Sequence, residues 1–112
     1  MNEITCSELR TRLERHDEIF ILDVRQPEEF AGGHIAGSKL IPLGELPSRI
    51  QELDKNADII IACHSGGRSA RACEYLANQG FKKVTNLLGG NARWQAEGGH
   101  AMTLKSPGVP KG

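Results

Sequence analysis

Two short apolar runs constrain this chain more than any other feature. Ile19-Phe20-Ile21-Leu22-Asp23-Val24 and Ala57-Asp58-Ile59-Ile60-Ile61-Ala62 are rich in strand formers, and their apolar residues are consecutive rather than alternating. A strand with one wetted face alternates apolar and polar side chains, so an unbroken run fits a strand covered on both faces. Strands of that kind belong to parallel sheets with helices packed above and below. The rest of the chain must then supply those helices.

It carries helix signals in the required places. Thr5 followed by Glu8 has the form of a capping box, with Thr5 as N-cap and Leu9 and Leu13 facing inward at i, i+4 spacing. Pro27 can open a short helix and Gly32-Gly33 can close it. Leu40-Ile41 is a brief strand stopped by Pro42, and Leu46, Ile50 and Leu53 keep helical spacing. Residues 69–79 are predicted helical with Gly80 at the stop, and residues 84–88 form a further strand. Gly89-Gly90 then lead into a last short helix around Trp94. This alternation predicts an α/β fold, a mostly parallel central sheet flanked by helices, in a single domain over residues 1–102. Residues 103–112, with Pro107, Gly108, Pro110 and Gly112, have too little apolar content to pack and are expected to form a flexible tail.

At 112 residues the chain fits one domain. Its 14 basic and 14 acidic residues cancel, so no broad positive field awaits nucleic acid or an anionic membrane. Any anion site has to be local. No apolar run approaches the ~18 residues of a membrane span, and Met1-Asn2-Glu3-Ile4 lacks the basic-then-apolar start of a secretory signal. A cytoplasmic monomer, with neither nucleic acid nor membrane as partner, is the expectation. Three cysteines, Cys6, Cys63 and Cys73, without C-x-x-C spacing argue against a disulfide scaffold or a zinc site. No metal and no cofactor are expected, and the thiols are left free for chemistry.

The segment that joins the clearest strand to the best helix is Cys63-His64-Ser65-Gly66-Gly67-Arg68-Ser69. In open parallel sheets, sites form beyond the carboxyl ends of strands, where Asp23 and Cys63 both fall. The two glycines let the loop turn several N–H groups inward as an anion nest. The helix starting near Ser69 adds unpaired N–H groups and the positive end of its dipole, and Arg68 adds a full charge at the rim. Each favours the thiolate of Cys63, making it a nucleophile at neutral pH without a general base. The plain alternative is a small buried hydrophobe followed by a tight turn. The coincidence of cysteine, glycines, arginine and helix start at a strand end favours the chemical role. Cys63 is therefore the candidate catalytic residue, and His64, Ser65, Gly66, Gly67, Arg68 and Ser69 are the candidate substrate-binding residues.

These residues also carry a family resemblance. Cys63-His64-Ser65-Gly66-Gly67-Arg68 resembles the active-site loop of rhodanese domains. Leu22-Asp23-Val24-Arg25-Gln26-Pro27-Glu28-Glu29-Phe30, followed by Gly33-His34-Ile35-Ala36-Gly37-Ser38, resembles the long motif near their first major strand. Leu88-Gly89-Gly90 with Trp94 resembles their closing motif, and the three motifs stand in the family's order across nearly the whole chain. At Glu97-Gly98-Gly99-His100 the chain departs from the family, which more usually has Pro after the glycine.

The resemblance implies a rhodanese-like fold and a two-step cycle. Cys63 takes the outer sulfur of thiosulfate or a similar donor and becomes a persulfide; cyanide or a thiol then removes that sulfur. The implied partners are a small-molecule donor and a thiol or cyanide acceptor, with a sulfur-accepting protein as a further candidate. Two alternatives stand beside this one. One is a persulfide carrier or binding module that serves a partner protein. The other is a cysteine-dependent phosphatase or arsenate reductase; such relatives use a loop one residue longer, so the four residues between Cys63 and Arg68 favour sulfur.

The remaining candidates have plainer uses. Arg68 suits contact with an anionic substrate or pairing with a carboxylate equally well. His64 is expected to point outward, Asp23 and Arg25 to form a structural ion pair, and His34 to be a satisfied structural histidine. Cys73 shares a helix face with Ala70 and Ala77, which fits packing rather than redox chemistry. Cys6, just after the N-cap, is expected to be mildly acidic without a task. Trp94 is expected to pack the last helix, beside the mouth of the site.

Overall fold

A computed structural model of the chain describes residues 1–98 together with 102 and 103. The elements run β1 (Asn2–Ile4), α1 (Cys6–Glu14), β2 (Phe20–Asp23), α2 (Pro27–Ala31), β3 (His34–Ile35), β4 (Lys39–Leu40), α3 (Leu46–Arg49), β5 (Asp58–Ala62), α4 (Gly67–Asn78), β6 (Lys83–Leu87), α5 (Gly90–Ala96) and β7 (Met102–Thr103). Turns of 3₁₀ helix at Leu43–Glu45 and Ile50–Glu52 flank α3. The central sheet has the order β1-β6-β5-β2-β4, and every pairing in it is parallel. A second, two-stranded antiparallel sheet pairs β3 with β7.

The two apolar runs are adjacent strands, with Phe20 opposite Ile59 and Asp23 opposite Ala62. Alternate residues of each run feed different cores. Leu22, Val24, Ile59, Ile61 and Cys63 pack with Leu46, Ala72, Cys73 and Leu76 from α3 and α4. Ile21, Ile60 and Ala62 pack with Leu9 of α1 and Trp94 of α5 on the other face. A sheet covered on both sides has no polar face to display, which is why neither run alternates. Among the described residues, no helix is long and apolar enough to cross a membrane.

Local signals set the helix ends. Thr5 Oγ1 accepts the Glu8 N–H at 3.0 Å, and the Glu8 carboxylate accepts the Thr5 N–H at 2.8 Å, completing the capping box. Pro27 stands in the first turn of α2 and Gly32 caps its end. Gly80, at φ +91°, follows the Gln79 C-cap of α4 in the left-handed conformation glycine favours.

Several boundaries differ from expectation. The first helix is preceded by β1, whose Asn2 and Glu3 are poor strand formers; pairing with β6 supplies the order that composition does not signal. The strand near Pro42 is Lys39–Leu40, one residue early. The helix expected from the spacing of Leu46, Ile50 and Leu53 tightens to 3₁₀ after Arg49. α4 begins at Gly67 instead of residue 69. Thr103, taken with the tail, pairs with His34 in β7. Residues 104–112 lie outside the described residues, as do 99–101.

Candidate active site

Cys63 follows the last residue of β5 and keeps the side parity of Ile59 and Ile61, so its side chain turns under the start of α4. The residue is only 1% exposed. The chain then reverses through His64, Ser65 and Gly66. Gly66, at φ +116°, is the N-cap of the 12-residue helix α4. That turn brings the Gly66 N–H to 3.0 Å from Cys63 Sγ and the Ser69 hydroxyl to 3.3 Å. The backbone N–H groups of Ser65 and Ser69 are also directed at the sulfur. Burial pushes the Cys63 thiol up, but the Ser69 hydroxyl and the N–H groups of Ser69, Gly66 and Ser65 together outweigh it. The net shift is below the ordinary thiol value. The positive end of α4 acts in the same direction.

The inward N–H groups are arranged from behind by α5. The Asn91 N–H and its side-chain Nδ2 donate to the Cys63 carbonyl at 2.8 and 3.0 Å, and the Ala92 N–H donates to the His64 carbonyl at 2.9 Å. A trans peptide holds its C=O and N–H on opposite sides. Drawing the His64 carbonyl to α5 therefore leaves the Ser65 N–H facing the sulfur. The approach is close enough to demand glycine at position 90, where φ is +55° and a Cβ would fall 2.3 Å from the Cys63 carbonyl oxygen. From the other side, Asn86 of β6 meets the Ser69 hydroxyl through Oδ1 at 2.5 Å. Its Nδ2 donates to the Gly66 carbonyl at 3.4 Å.

Not all the predicted loop residues face the sulfur. Ser65, Gly66 and Ser69 surround it, whereas the side chains of His64 and Ser65 are exposed and Gly67 opens the helix. Arg68 forms a two-pronged ion pair with Glu29 of α2 at 2.8 and 2.9 Å, the carboxylate pairing that was one of the two uses open to it. The Arg68 guanidinium holds the Glu29 carboxyl down at about 2, helped by the Gln26 N–H. Asp23 and Arg25 form the expected buried ion pair, with Arg25 Nη2 2.8 Å from Asp23 Oδ2 and also donating to the Gly33 carbonyl. His34 Nδ1 lies 2.9 Å from the Phe30 carbonyl, and the two rings stack, as a structural histidine should.

The other cysteines are buried in the two cores. Burial pushes Cys73 up to about 12. The Cys6 thiol is raised, chiefly by burial and then by Glu97, and is not the mildly acidic group expected after an N-cap. The sulfur sits against the carbonyls of Leu88 and Gly90, both at 3.8 Å, so it faces acceptors instead of helix N–H groups. Trp94 is fully buried in the α1-side core, with the Arg10 guanidinium 4.9 Å from the ring centre, and not in the cage around Cys63. Among the described residues, no group of three His, Cys, Asp or Glu could hold a metal ion.

Glu29, Asn86 and Asn91 were not singled out from sequence. Asn86 alone carried a usable signal, a polar residue inside the otherwise apolar end of a strand.

The family model described as the rhodanese-like domain matches residues 5–97. A sulfurtransferase of Allochromatium vinosum is 39% identical over 98 residues, covering 88% of this chain and 92% of the relative. The thiosulfate sulfurtransferase GlpE of Ectopseudomonas mendocina is 39% identical over 82 residues, covering 73% of this chain and 75% of the relative. Among solved structures, a rhodanese-like domain protein from Staphylococcus aureus matches with a TM-score of 0.83 at 37% identity, covering 95% of this chain and all of that one.

Proposed function

The chain belongs to the rhodanese-like domain family, and on that premise we propose that it moves sulfane sulfur from thiosulfate, or a similar donor, to a thiol or cyanide acceptor through a persulfide on Cys63. The observation that carries this is the cage of donors around Cys63 Sγ. A thiolate held there attacks the outer sulfur of thiosulfate. The new S–S bond forms as the donor's own S–S bond breaks, and sulfite leaves with the electron pair. The product is Cys63–S–S⁻, an anion that the N–H groups of Ser65, Gly66 and Ser69 can stabilise. An acceptor such as cyanide then attacks the outer sulfur, thiocyanate departs, and the Cys63 thiolate returns. Atoms and charge balance without a further oxidant or reductant.

The short loop supports sulfur over phosphorus. Its donors converge on a single atom, whereas a phosphoryl or arsenyl group spreads charge over three oxygens and needs a wider cradle. Thiosulfate treatment is expected to add the mass of one sulfur atom to the protein at Cys63, and cyanide to remove it as thiocyanate. A protein that gains no sulfur, or that hydrolyses an aryl phosphate faster than it transfers sulfur, contradicts the proposal. Rapid loading with poor turnover to small acceptors would identify the site as a carrier for a protein partner.

A further inference from the structure

Ser69 has one hydroxyl proton and three neighbours that can accept it. Asn86 Oδ1 lies 2.5 Å from its Oγ, the Gly66 carbonyl 3.1 Å and Cys63 Sγ 3.3 Å. With Oδ1 facing the hydroxyl, the shortest contact draws the proton to Asn86 and leaves the Ser69 lone pairs toward the sulfur. That arrangement suits a thiol, whose S–H can donate to Oγ. A thiolate needs the opposite, a hydroxyl proton pointing at it. If Ser69 turned alone, its bare oxygen would face two carbonyl oxygens in a site closed to water, since Ser69 is 0% and Asn86 4% exposed. A half-turn of the Asn86 amide gives the Ser69 oxygen a donor and leaves only the Gly66 carbonyl opposed. It exchanges Oδ1 and Nδ2 within nearly the same volume, so Nδ2 donates to Ser69 Oγ while Ser69 donates to the sulfur. The cost is the long Nδ2 bond to the Gly66 carbonyl, which keeps the Ala70 N–H at 3.1 Å.

We propose that Asn86 is a positioning residue whose side-chain amide turns as Cys63 passes between thiol and thiolate, so that the Ser69 proton meets the sulfur whenever charge develops there. Other charged and titratable groups stand near the sulfur. They are Arg68 with Glu29, Arg25 with Asp23, Cys73 on α4 and His64 in the loop. The proposal rests on Cys63 as the nucleophile of the site. Its test reads thiol ionisation, so it can fail or succeed apart from sulfur transfer.

Asn86→Asp keeps the shape of the side chain but, once ionised, can only accept, and so it holds the Ser69 proton away from Cys63. In the intact protein, the pH midpoint of iodoacetamide alkylation at Cys63 should rise by about one unit or more, roughly a tenfold slowing below the midpoint. Most of that rise should vanish when Asn86→Asp is made in a Ser69→Ala protein. A rise of equal size in both backgrounds would show a through-space charge effect and overturn the proposal. Should Asn86→Asp fail to fold, the unaltered side chain answers instead. Its ¹⁵N-amide resonance should follow the Cys63 titration in the wild type and lose that response in Ser69→Ala. An amide that is unmoved in the wild type, or that moves equally in both proteins, overturns the proposal.

Discussion

Cys63 and Cys73 lie in the same hydrophobic cluster and are each 1% exposed, yet their thiols are pushed in opposite directions. Burial raises both. At Cys73 it goes unopposed by any hydrogen bond, because the residue sits inside α4, where backbone N–H groups are already bonded along the helix. At Cys63 the chain has just left a strand and not yet entered a helix, so the N–H groups of Ser65, Gly66 and Ser69 are free to turn to the sulfur. Ten residues of chain separate a thiol pushed up from one pushed down. The difference lies in where the Ser69 hydroxyl and the unpaired backbone N–H groups point, not in net charge or depth.

The most severe way to break the comparison is to exchange the thiols for hydroxyls. Cys63→Ser should lower thiosulfate:cyanide transfer by at least ~10³-fold with the fold intact. Cys73→Ser should keep most of the activity; an equal loss would mean that the wrong sulfur was chosen. Next in size is Gly90→Ala, which drives a methyl group into the Cys63 carbonyl and forces a left-handed conformation on alanine. It should cost at least about 2 kcal/mol in denaturant unfolding and move the Cys63 midpoint toward that of a buried thiol. Gly67→Ala is the matched control. Nothing lies within 4 Å of its added Cβ, so stability should stay within about 0.5 kcal/mol.

Ser69→Ala sharpens the comparison by removing a single donor. The Cys63 midpoint should rise by about one unit while that of Cys73 stays put. Smallest is Glu29→Gln, which frees Arg68 at a half-exposed pair and should cost no more than ~1 kcal/mol at low salt. Because the folded carboxyl is depressed to about 2, this contribution is complete above the ordinary carboxylate range near ~4.3 and is lost as the pH falls through 2. The melting temperatures of wild type and Glu29→Gln should therefore differ at pH 6 and converge as the pH approaches 2.

The candidate nucleophile and its immediate loop were legible in the sequence because they depend on neighbours in the chain. Strand end, glycines, helix start and cysteine fall within seven consecutive residues, and the capping box of α1 and the proline of α2 are equally local. What was hidden depends on distant partners. Glu29 reaches Arg68 across 39 positions, and Asn91 reaches the Cys63 carbonyl across 28. The pairing of β3 with β7 joins Ile35 to Met102, and no property of either dipeptide announces it. The misplaced start of α4 has another cause: Gly66-Gly67 reads as a turn from composition, while the fold uses the first glycine as a left-handed cap and the second as the first helical residue. Cys6 was misjudged because its position after an N-cap promises helix N–H groups, whereas its side chain points into the core.

The central claim is that donor geometry, and not burial, sets the state of Cys63. Its most direct test is the alkylation of all three cysteines of the native protein by iodoacetamide across a range of pH, with each site followed by peptide mass spectrometry. The Cys63 midpoint should fall below the ~8.5 of a free thiol, with Cys73 inert until well above it. A Cys63 midpoint at or above the free-thiol value, or one that tracks Cys73, would contradict it.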